Sequence, residues 1–168
     1  MPKVLISDKL SQHAKKIFSE RGIEVDYKVG MSKEELIECI GMYDGLAIRS
    51  STTVTRELLE AGKELKVIGR AGIGVDNIDV KEATSKGIVV MNTPFGNSIT
   101  TAEHALALIF SLARKIPQAN SSTHQGKWEK NKFIGVELFG KVLGIIGCGN
   151  VGSILADRAI GVKMKVIA

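Results

Sequence analysis

Cysteine and aromatic residues are scarce in this 168-residue chain. It has two cysteines, Cys39 and Cys148, which lie far apart and form no Cys-x-x-Cys pair. This usage excludes a disulfide framework, argues against a structural metal and favours a reducing cytoplasm. Aromatic residues are 5% of the chain, too few to provide the stacking platforms of a protein that binds single-stranded nucleic acid.

Long apolar runs and blocks of like charge are also absent. The longest apolar stretch, Ala105 to Ala113, contains Ser111 and falls far short of the roughly 18 residues of a membrane span. The N-terminus has only the short run Val4 to Ile6 before Asp8, so no signal peptide is predicted. The net charge of +5 comes from lysines and arginines scattered among carboxylates. This pattern predicts a solvated surface, no nucleic-acid or membrane partner, and a potential that suits an anionic substrate.

Glycine is plentiful, and three glycines mark the most informative segment. A predicted strand, Val142 to Ile146, runs into Gly147, Gly149 and Gly152 and then into a predicted helix. In a dinucleotide-binding turn the first glycine permits a tight turn, and the second lets the backbone approach a pyrophosphate. The third lets the helix lie against the strand. A simple helix–strand packing turn could use the same spacing, but the strand–turn–helix context favours a nucleotide at the helix start.

The dinucleotide unit is expected to continue past the last residue. Such a fold places an acidic residue for the ribose hydroxyls about 20 residues after the first glycine, at the end of its second strand. Met164 to Ala168 is predicted to be that strand, so the sequence does not decide between NAD and NADP. A dinucleotide domain contains two such halves. We therefore expect the chain to be the front part of a longer enzyme.

The segment before the glycine turn alternates short apolar runs with amphipathic segments, which is typical of parallel βαβ units. Ser32 and Glu35 predict a capping box at a helix start. The pattern predicts a small flavodoxin-like domain. Its strands are expected at Val4 to Ser7, Glu24 to Lys28, Gly45 to Arg49, Lys66 to Arg70 and Ile88 to Asn92. Its helices are expected at Ser11 to Arg21, after Ser32, at Thr55 to Ala61 and at Val80 to Lys86.

A longer helix, Ser98 to Ile116, is predicted next, with Pro117 marking its end or a kink. We place a domain boundary near Asn97. The predicted fold is therefore α/β, with a flavodoxin-like parallel-sheet substrate domain over residues 1–97. It is followed over residues 98–168 by the first βαβ of a Rossmann NAD-binding domain, which is incomplete.

Arg49 and Ser50 follow the third predicted strand, at the edge where ligands bind in open α/β sheets. An arginine there can hold a carboxylate or phosphate with two hydrogen bonds, and a serine adds a hydroxyl. A surface arginine ahead of a helix cap would give the same pattern, so position alone leaves both interpretations open.

Gly69, Gly72 and Gly74 lie at and after the end of the fourth predicted strand. Three glycines within six residues cost conformational entropy, which favours a backbone that a ligand approaches closely. Its N–H groups would hold a substrate carboxylate. Asp76 and Asn77 are interpreted as turn residues or caps for the next helix.

Asn92 to Ser98 follows the fifth predicted strand, so three strand ends are predicted to line one crevice. No metal site and no Ser-His-Asp triad can be assembled from the sequence. His104, on the long helix, is interpreted as a packing or interface residue.

The motifs described above, taken in their order along the chain, resemble those of the D-isomer-specific 2-hydroxyacid dehydrogenases. The resemblance covers the whole chain. The stretches around Arg70 and Asn92 mark that superfamily. The opening strand and the segment Gly126-Lys-Trp-Glu129 favour its phosphoglycerate branch. The resemblance implies oxidation of 3-phospho-D-glycerate to 3-phosphooxypyruvate with NAD, the first committed step of serine synthesis.

The resemblance also implies site residues. Substrate contacts would come from Arg49, Ser50, Arg70, Gly72, Ile73, Gly74 and Asn97. Ile73 would lie near the nicotinamide, and the other cofactor contacts would come from Gly147, Gly149, Asn150, Val151 and Gly152. The family's catalytic arginine, glutamate and histidine are expected after residue 168, so no catalytic residue is expected in this chain and it should lack turnover alone. A homodimer or homotetramer is expected through Ser98 to Lys132.

Two alternatives stay open. One is another enzyme of the same superfamily, such as a glyoxylate/hydroxypyruvate reductase. The other is a non-catalytic dinucleotide sensor, as in the family's transcriptional corepressor branch.

Lys130 and Asn150 stand where many relatives carry arginine, so at Asn150 backbone contacts are expected to matter more than the side chain.

Overall fold

The computed structural model describes all 168 residues, which form two compact units, Met1–Gly96 and Asn97–Ala168. The first unit is built on a five-stranded parallel sheet in the order β2-β1-β3-β4-β5. This is the strand order of flavodoxin-like folds and confirms the predicted fold class. The strands are β1 Lys3–Ile6, β2 Glu24–Tyr27, β3 Gly45–Ile48, β4 Val67–Arg70 and β5 Val89–Met91.

Helices cover both faces of this sheet, so its central strands are apolar on both sides. Successive side chains of β1 point to opposite faces. Leu5 belongs to the larger core on one face, together with Tyr43, whereas Val4 and Ile6 pack with Phe18 on the other. The helices are α1 Gln12–Glu20, α2 Lys33–Ile40, α3 Arg56–Ala61 and α4 Val80–Ser85.

Each of these four helices begins at a side-chain cap. The capping box predicted at Ser32 and Glu35 is confirmed, with hydrogen bonds of 3.2 and 2.7 Å. Asp76 and Asn77 are turn residues, as one of the two interpretations had it, but neither caps the fourth helix, because Asp79 accepts the N–H of Glu82 there at 3.0 Å. The Asp76 side chain instead accepts from Arg70 at the end of β4, and the Asn77 side chain donates to the loop after β3.

The second unit contains two parallel strands and three α-helices. The predicted βαβ unit is formed, with Val142 paired to Lys165. Helix α5 packs against α7, where Ala102 and Ala159 are fully buried. The elements are α5 Ser98–Ala113, α6 Ile116–His124, a 3₁₀ turn Lys130–Phe133, β6 Val142–Gly144, α7 Asn150–Gly161 and β7 Lys165–Ile167.

The long helix ends earlier than predicted. It stops at Ala113, and the chain turns through Lys115, which has a left-handed φ of 53°. Pro117 then lies in the first turn of α6, where its missing N–H leaves no helical hydrogen bond unmade. The proline therefore starts a helix here instead of ending one. None of the helices has the length and apolar character needed to cross a membrane.

Candidate functional site

The carboxyl ends of β3, β4 and β5 lie side by side at one edge of the sheet of the first unit. Ile48 pairs with Arg70, and Gly69 pairs with Met91, so the three strands end at similar heights. Arg49 and Ser50 leave β3 as exposed residues. The structure thus brings the segments predicted after these three strands to one edge.

The loop after β3 is held by a buried carboxylate from the end of β1. Asp8 is only 3% exposed. Its Oδ2 accepts the backbone N–H groups of Arg49, Ser51 and Thr52 at 2.6, 3.2 and 3.2 Å. Its Oδ1 accepts the Thr52 hydroxyl at 2.8 Å. Because these donors all converge on the carboxylate, its charge is compensated inside the protein.

The same loop is held from the other side by residues of the turn after β4. The Asn77 amide nitrogen donates to the carbonyl oxygens of Arg49 and Thr52, at 2.8 and 2.6 Å. Backbone hydrogen bonds of 2.8 and 3.0 Å join Val54 to Asn77 and Asp79. The two loops therefore form one continuous hydrogen-bonded structure.

Arg70 also contributes to this structure. Its Nε donates to the carbonyl oxygen of Arg49 at 3.3 Å, and its Nη1 donates to the carbonyl oxygen of Gly74. Nη1 also reaches Asp76 Oδ1 at 3.3 Å. The Arg70 side chain is only 11% exposed. These contacts organise the edge from within the protein, and a contact between Arg70 and substrate stays a prediction.

The turn after β4 is fixed by the segment after β5. Asn92 donates to the carbonyl oxygen of Ile73 at 2.7 Å, and the N–H of Thr93 donates to the carbonyl oxygen of Gly72 at 2.9 Å. These contacts set the backbone whose N–H groups were predicted to hold a carboxylate. Asn97, the remaining residue of the predicted set, occupies the N-cap position of α5 in the second unit without a side-chain capping bond.

The protein's own packing does not require glycine at two of the three positions in this turn, Gly69 and Gly72. A Cβ built at Gly69 meets nothing within 4 Å, and one at Gly72 comes no closer than 3.5 Å to Arg70. At Gly74 it would meet Asp76 Oδ1 at 2.6 Å and Arg70 Nη1 at 3.1 Å, so packing against these two side chains accounts for glycine at that position. Since neither packing nor a positive φ demands glycine at Gly69 and Gly72, the open space in front of them is compatible with a ligand that approaches the backbone.

In the second unit, the glycine turn has two structural glycines and one open one. Gly147 has a φ of +92°, a conformation that favours glycine. A Cβ at Gly152 would collide with the carbonyl oxygen of Gly147 and approach Ile145 Cγ2 to 3.3 Å. Gly149, by contrast, has no atom within 4 Å of its would-be Cβ. The tight turn and the close approach of helix and strand are as predicted.

Helix α7 begins at this open glycine without a side-chain cap. Gly149 is its N-cap residue, and its first turn holds no acidic residue. Asn150 and Val151 therefore present helix-start N–H groups that no side chain occupies. Such a terminus suits an anionic group such as a pyrophosphate, by its N–H groups and its dipole. No cluster of three or more histidine, cysteine or acidic side chains suited to a metal is present.

Sequence reasoning missed Asp8 and the bonding role of Asn77. Asp8 was noted only as a charge after the first strand, and its partners lie more than 40 residues away in sequence. The pattern of an acidic residue directly after a buried strand was the one signal that could have drawn attention to it.

Comparisons with known proteins identify the family. The sequence model of the D-isomer specific 2-hydroxyacid dehydrogenase catalytic domain matches residues 4–156. A D-3-phosphoglycerate dehydrogenase of Archaeoglobus fulgidus is 51% identical over 166 residues, which are 99% of this chain and 32% of that protein. The chain thus spans about a third of the length of that curated relative.

Solved structures agree with this assignment. The TT0316 protein of Thermus thermophilus matches with a TM-score of 0.89 and 31% identity, over 98% of this chain and 54% of that one. An NAD⁺-bound 3-phosphoglycerate dehydrogenase of Entamoeba histolytica matches with a TM-score of 0.79 and 34% identity, over 98% and 52%. The chain therefore belongs to the D-isomer specific 2-hydroxyacid dehydrogenase family.

Proposed function

We propose that the protein to which this chain belongs oxidises 3-phospho-D-glycerate to 3-phosphooxypyruvate with NAD, as the first step of L-serine synthesis. Curated relatives that are 47–51% identical are named D-3-phosphoglycerate dehydrogenase, which supports this choice of substrate within the family. The observation that carries the proposal is the exposed Arg49 at an edge where three strand ends meet.

Residues 1–97 would form the substrate-binding domain. The Arg49 guanidinium makes one long hydrogen bond, 3.5 Å to the carbonyl oxygen of Lys9. Arginine has five N–H donors, so most of this fork can grip a carboxylate or phosphate. Ser50 would add its hydroxyl, and the turn from Gly72 to Gly74 would add the backbone N–H groups of Ile73 and Gly74. The N–H of Gly72 donates to the carbonyl oxygen of Arg70 at 2.9 Å. Asn97 is proposed as a further substrate contact.

Residues 98–168 would begin the NAD-binding domain. The N–H groups of Asn150 and Val151 would hold the pyrophosphate, and the open face of Gly149 would let it approach. When bound, NAD supplies the acceptor for the hydride that the alcohol carbon loses. Ile73 is proposed to lie on the nicotinamide side.

We assign no catalytic acid or base to this chain. Oxidation of an alcohol needs a group that accepts the hydroxyl proton, and none of the three histidines lies in the segments that follow β3, β4 and β5. The proton acceptor is therefore proposed to come from another part of the protein. Without such a group the reaction would lose about 10² to 10⁴ in rate.

Self-association is proposed through the segment Ser98 to Lys132. Large apolar side chains are exposed along it, including Leu112 at 82% and Trp128 at 83%. Exposed apolar surface of this kind is typical of a surface that pairs with another chain.

A substrate comparison on the full-length protein tests the proposed function. We expect NAD reduction with 3-phosphoglycerate to be faster than with glycerate or lactate, because Arg49 and the turn N–H groups favour a substrate with two anionic groups, a carboxylate and a phosphate. Faster turnover of glyoxylate or hydroxypyruvate with NADH would assign the protein to another reductase of the family. NAD binding without turnover of any acid would favour a dinucleotide sensor.

A further inference from the structure

The main chain of Arg49 is fixed at both of its polar groups by side chains from other loops. Its N–H donates to Asp8 Oδ2 at 2.6 Å, and its carbonyl oxygen accepts from Asn77 Nδ2 at 2.8 Å. We propose that Asp8 and Asn77 are positioning residues that hold the Arg49–Thr52 segment in the shape that grips the substrate anion. This inference rests on the proposed function, in which Arg49 and Ser50 contact the substrate.

On one side, Asp8 orders the segment through several donors at once. Three backbone N–H groups point at a single carboxylate oxygen, and the Thr52 hydroxyl bonds to the other. The carboxylate is buried, so removal of its charge would leave part-buried donors without an equal acceptor. Ser7 extends the network, since its hydroxyl lies 2.8 Å from Thr52 Oγ1.

On the other side, Asn77 bonds to both ends of the same segment. Its amide nitrogen donates to the carbonyl oxygens of Arg49 and Thr52, while its Oδ1 is buried without a hydrogen-bond partner. Turning the amide over would place Oδ1 against two carbonyl oxygens, so the hydrogen bonds fix its orientation. A buried unpaired oxygen is costly. The two N–H donors of the Asn77 amide therefore hold the Arg49–Thr52 segment, although the amide oxygen stays unpaired.

The consequence for binding is that little of Arg49 is left to order. With both main-chain groups fixed, only its side-chain rotamers must settle on the anion, which lowers the entropic cost of binding. A displacement of about 1 Å at a positioned group can change rates by roughly 10²-fold. Asp8 and Asn77 together form a clamp on the Arg49–Thr52 segment. Loss of either side chain is therefore expected to weaken substrate recognition more than NAD recognition.

The test uses steady-state kinetics of the full-length protein with the variants Asp8→Asn and Asn77→Asp. Each is expected to raise the KM for 3-phosphoglycerate by roughly 10-fold or more, with the KM for NAD within about twofold of wild type. The matched control is Asp44→Asn. Asp44 precedes β3 at the opposite end of the strand and likewise accepts a backbone N–H, from Lys3 at 2.9 Å. It should leave both KM values unchanged.

A milder variant covers the case in which Asp8→Asn fails to fold. Thr52→Val keeps the side-chain shape and removes only the hydroxyl that donates to Asp8, so it should raise the KM for 3-phosphoglycerate in the same direction by less. If the foldable variants keep a wild-type KM, or if Asp44→Asn raises it equally, the positioning role is refuted and the residues merely support the fold.

A second readout separates this inference from the proposed function. Amide hydrogen exchange in the full-length protein should be at least about tenfold faster at Arg49, Ser51 and Thr52 in the Asp8 or Thr52 variant. Wild-type protein that does not turn over 3-phosphoglycerate would refute the proposed function, and unchanged exchange at these amides would refute the clamp.

Discussion

A Cβ atom added to Gly152 would collide with the carbonyl oxygen of Gly147. The start of α7 therefore packs directly against the turn after β6. Because the atom that an added Cβ would meet belongs to the backbone, no side-chain rotation can relieve the collision. Gly152→Ala is therefore expected to destabilise the second unit by about 1–3 kcal/mol, the usual cost of overpacking. Thermal unfolding of the full-length protein should show a lower melting temperature.

Gly149→Ala provides the matched comparison in the same turn. Its φ and ψ of −82° and −154° suit an alanine, and the added Cβ would meet nothing within 4 Å. The melting temperature should stay near that of wild type, whereas NAD affinity should fall because the methyl group occupies the space proposed for the pyrophosphate. Unchanged NAD affinity in stable Gly149→Ala protein would count against this placement of the cofactor.

The hydrogen bond between the buried Tyr43 and the partly exposed Asp26 predicts a pH dependence of stability. The Tyr43 hydroxyl donates to Asp26 Oδ2 at 2.7 Å. Burial, together with this hydrogen bond, raises the pKa of Tyr43 to about 12. The folded state thus holds the phenolic proton more tightly than the unfolded chain, whose tyrosine pKa is about 10. The contribution is full below pH 10 and is lost as the pH rises towards 12.

Tyr43→Phe isolates this contribution. Between about pH 10 and 12, wild type should lose roughly 1–2 kcal/mol more unfolding free energy than the variant. Hydrogen bonds from Tyr43 and then from Lys3 lower the pKa of Asp26. The stability that ionised Asp26 contributes is present above its unfolded-state pKa of about 4 and is lost as the pH falls below that value. This loss is complete at a lower pH in wild type than in the variant, because the variant lacks the hydrogen bond from Tyr43. Urea unfolding at a series of pH values measures the alkaline loss from Tyr43 and the acid loss from Asp26. If the unfolding free energies of wild type and Tyr43→Phe change in parallel with pH, the energetic coupling between Tyr43 and Asp26 is refuted.

The exposed apolar side chains of α5 predict a change in oligomeric state on charge insertion. Leu112→Glu places a charge at a side chain that is 82% exposed, so it should leave the fold intact and weaken self-association. Light scattering after size exclusion should give a smaller mass than for wild type. Met42→Glu, at a 64% exposed position of the first unit, is the control and should keep the wild-type mass. Equal masses for all three proteins would contradict the proposed surface.

Much of the fold could be predicted because its signals are local. Alternation of apolar runs and helical segments located all five strands of the first sheet, and the Ser32 capping box marked the start of α2. Strand ends differed by one or two residues. The strand predicted from Ile88 to Asn92, for example, pairs only over Val89–Met91. The glycine turn was predictable because the positive φ of Gly147 is a backbone requirement that leaves a mark in sequence.

The rest of the site depends on contacts between distant segments. Asp8 holds the loop after β3 from 41 residues away, and Asn77 reaches the same loop from 28. No local pattern encodes such partners. The end of α5 was predicted too late in the chain for a different reason. Lys115 adopts a left-handed φ there, and a lysine does not predict this conformation.

The most direct test of the account is NAD reduction by the full-length protein with 3-phosphoglycerate, measured beside its Arg49→Gln variant. Loss of the charged fork should raise the KM for 3-phosphoglycerate by about 10- to 100-fold, the value of a charge-assisted pair, and leave the KM for NAD unchanged. Robust wild-type turnover with that separation of effects is the predicted result. Wild-type protein without phosphoglycerate-dependent turnover, or an Arg49→Gln variant with wild-type kinetics, would contradict the account.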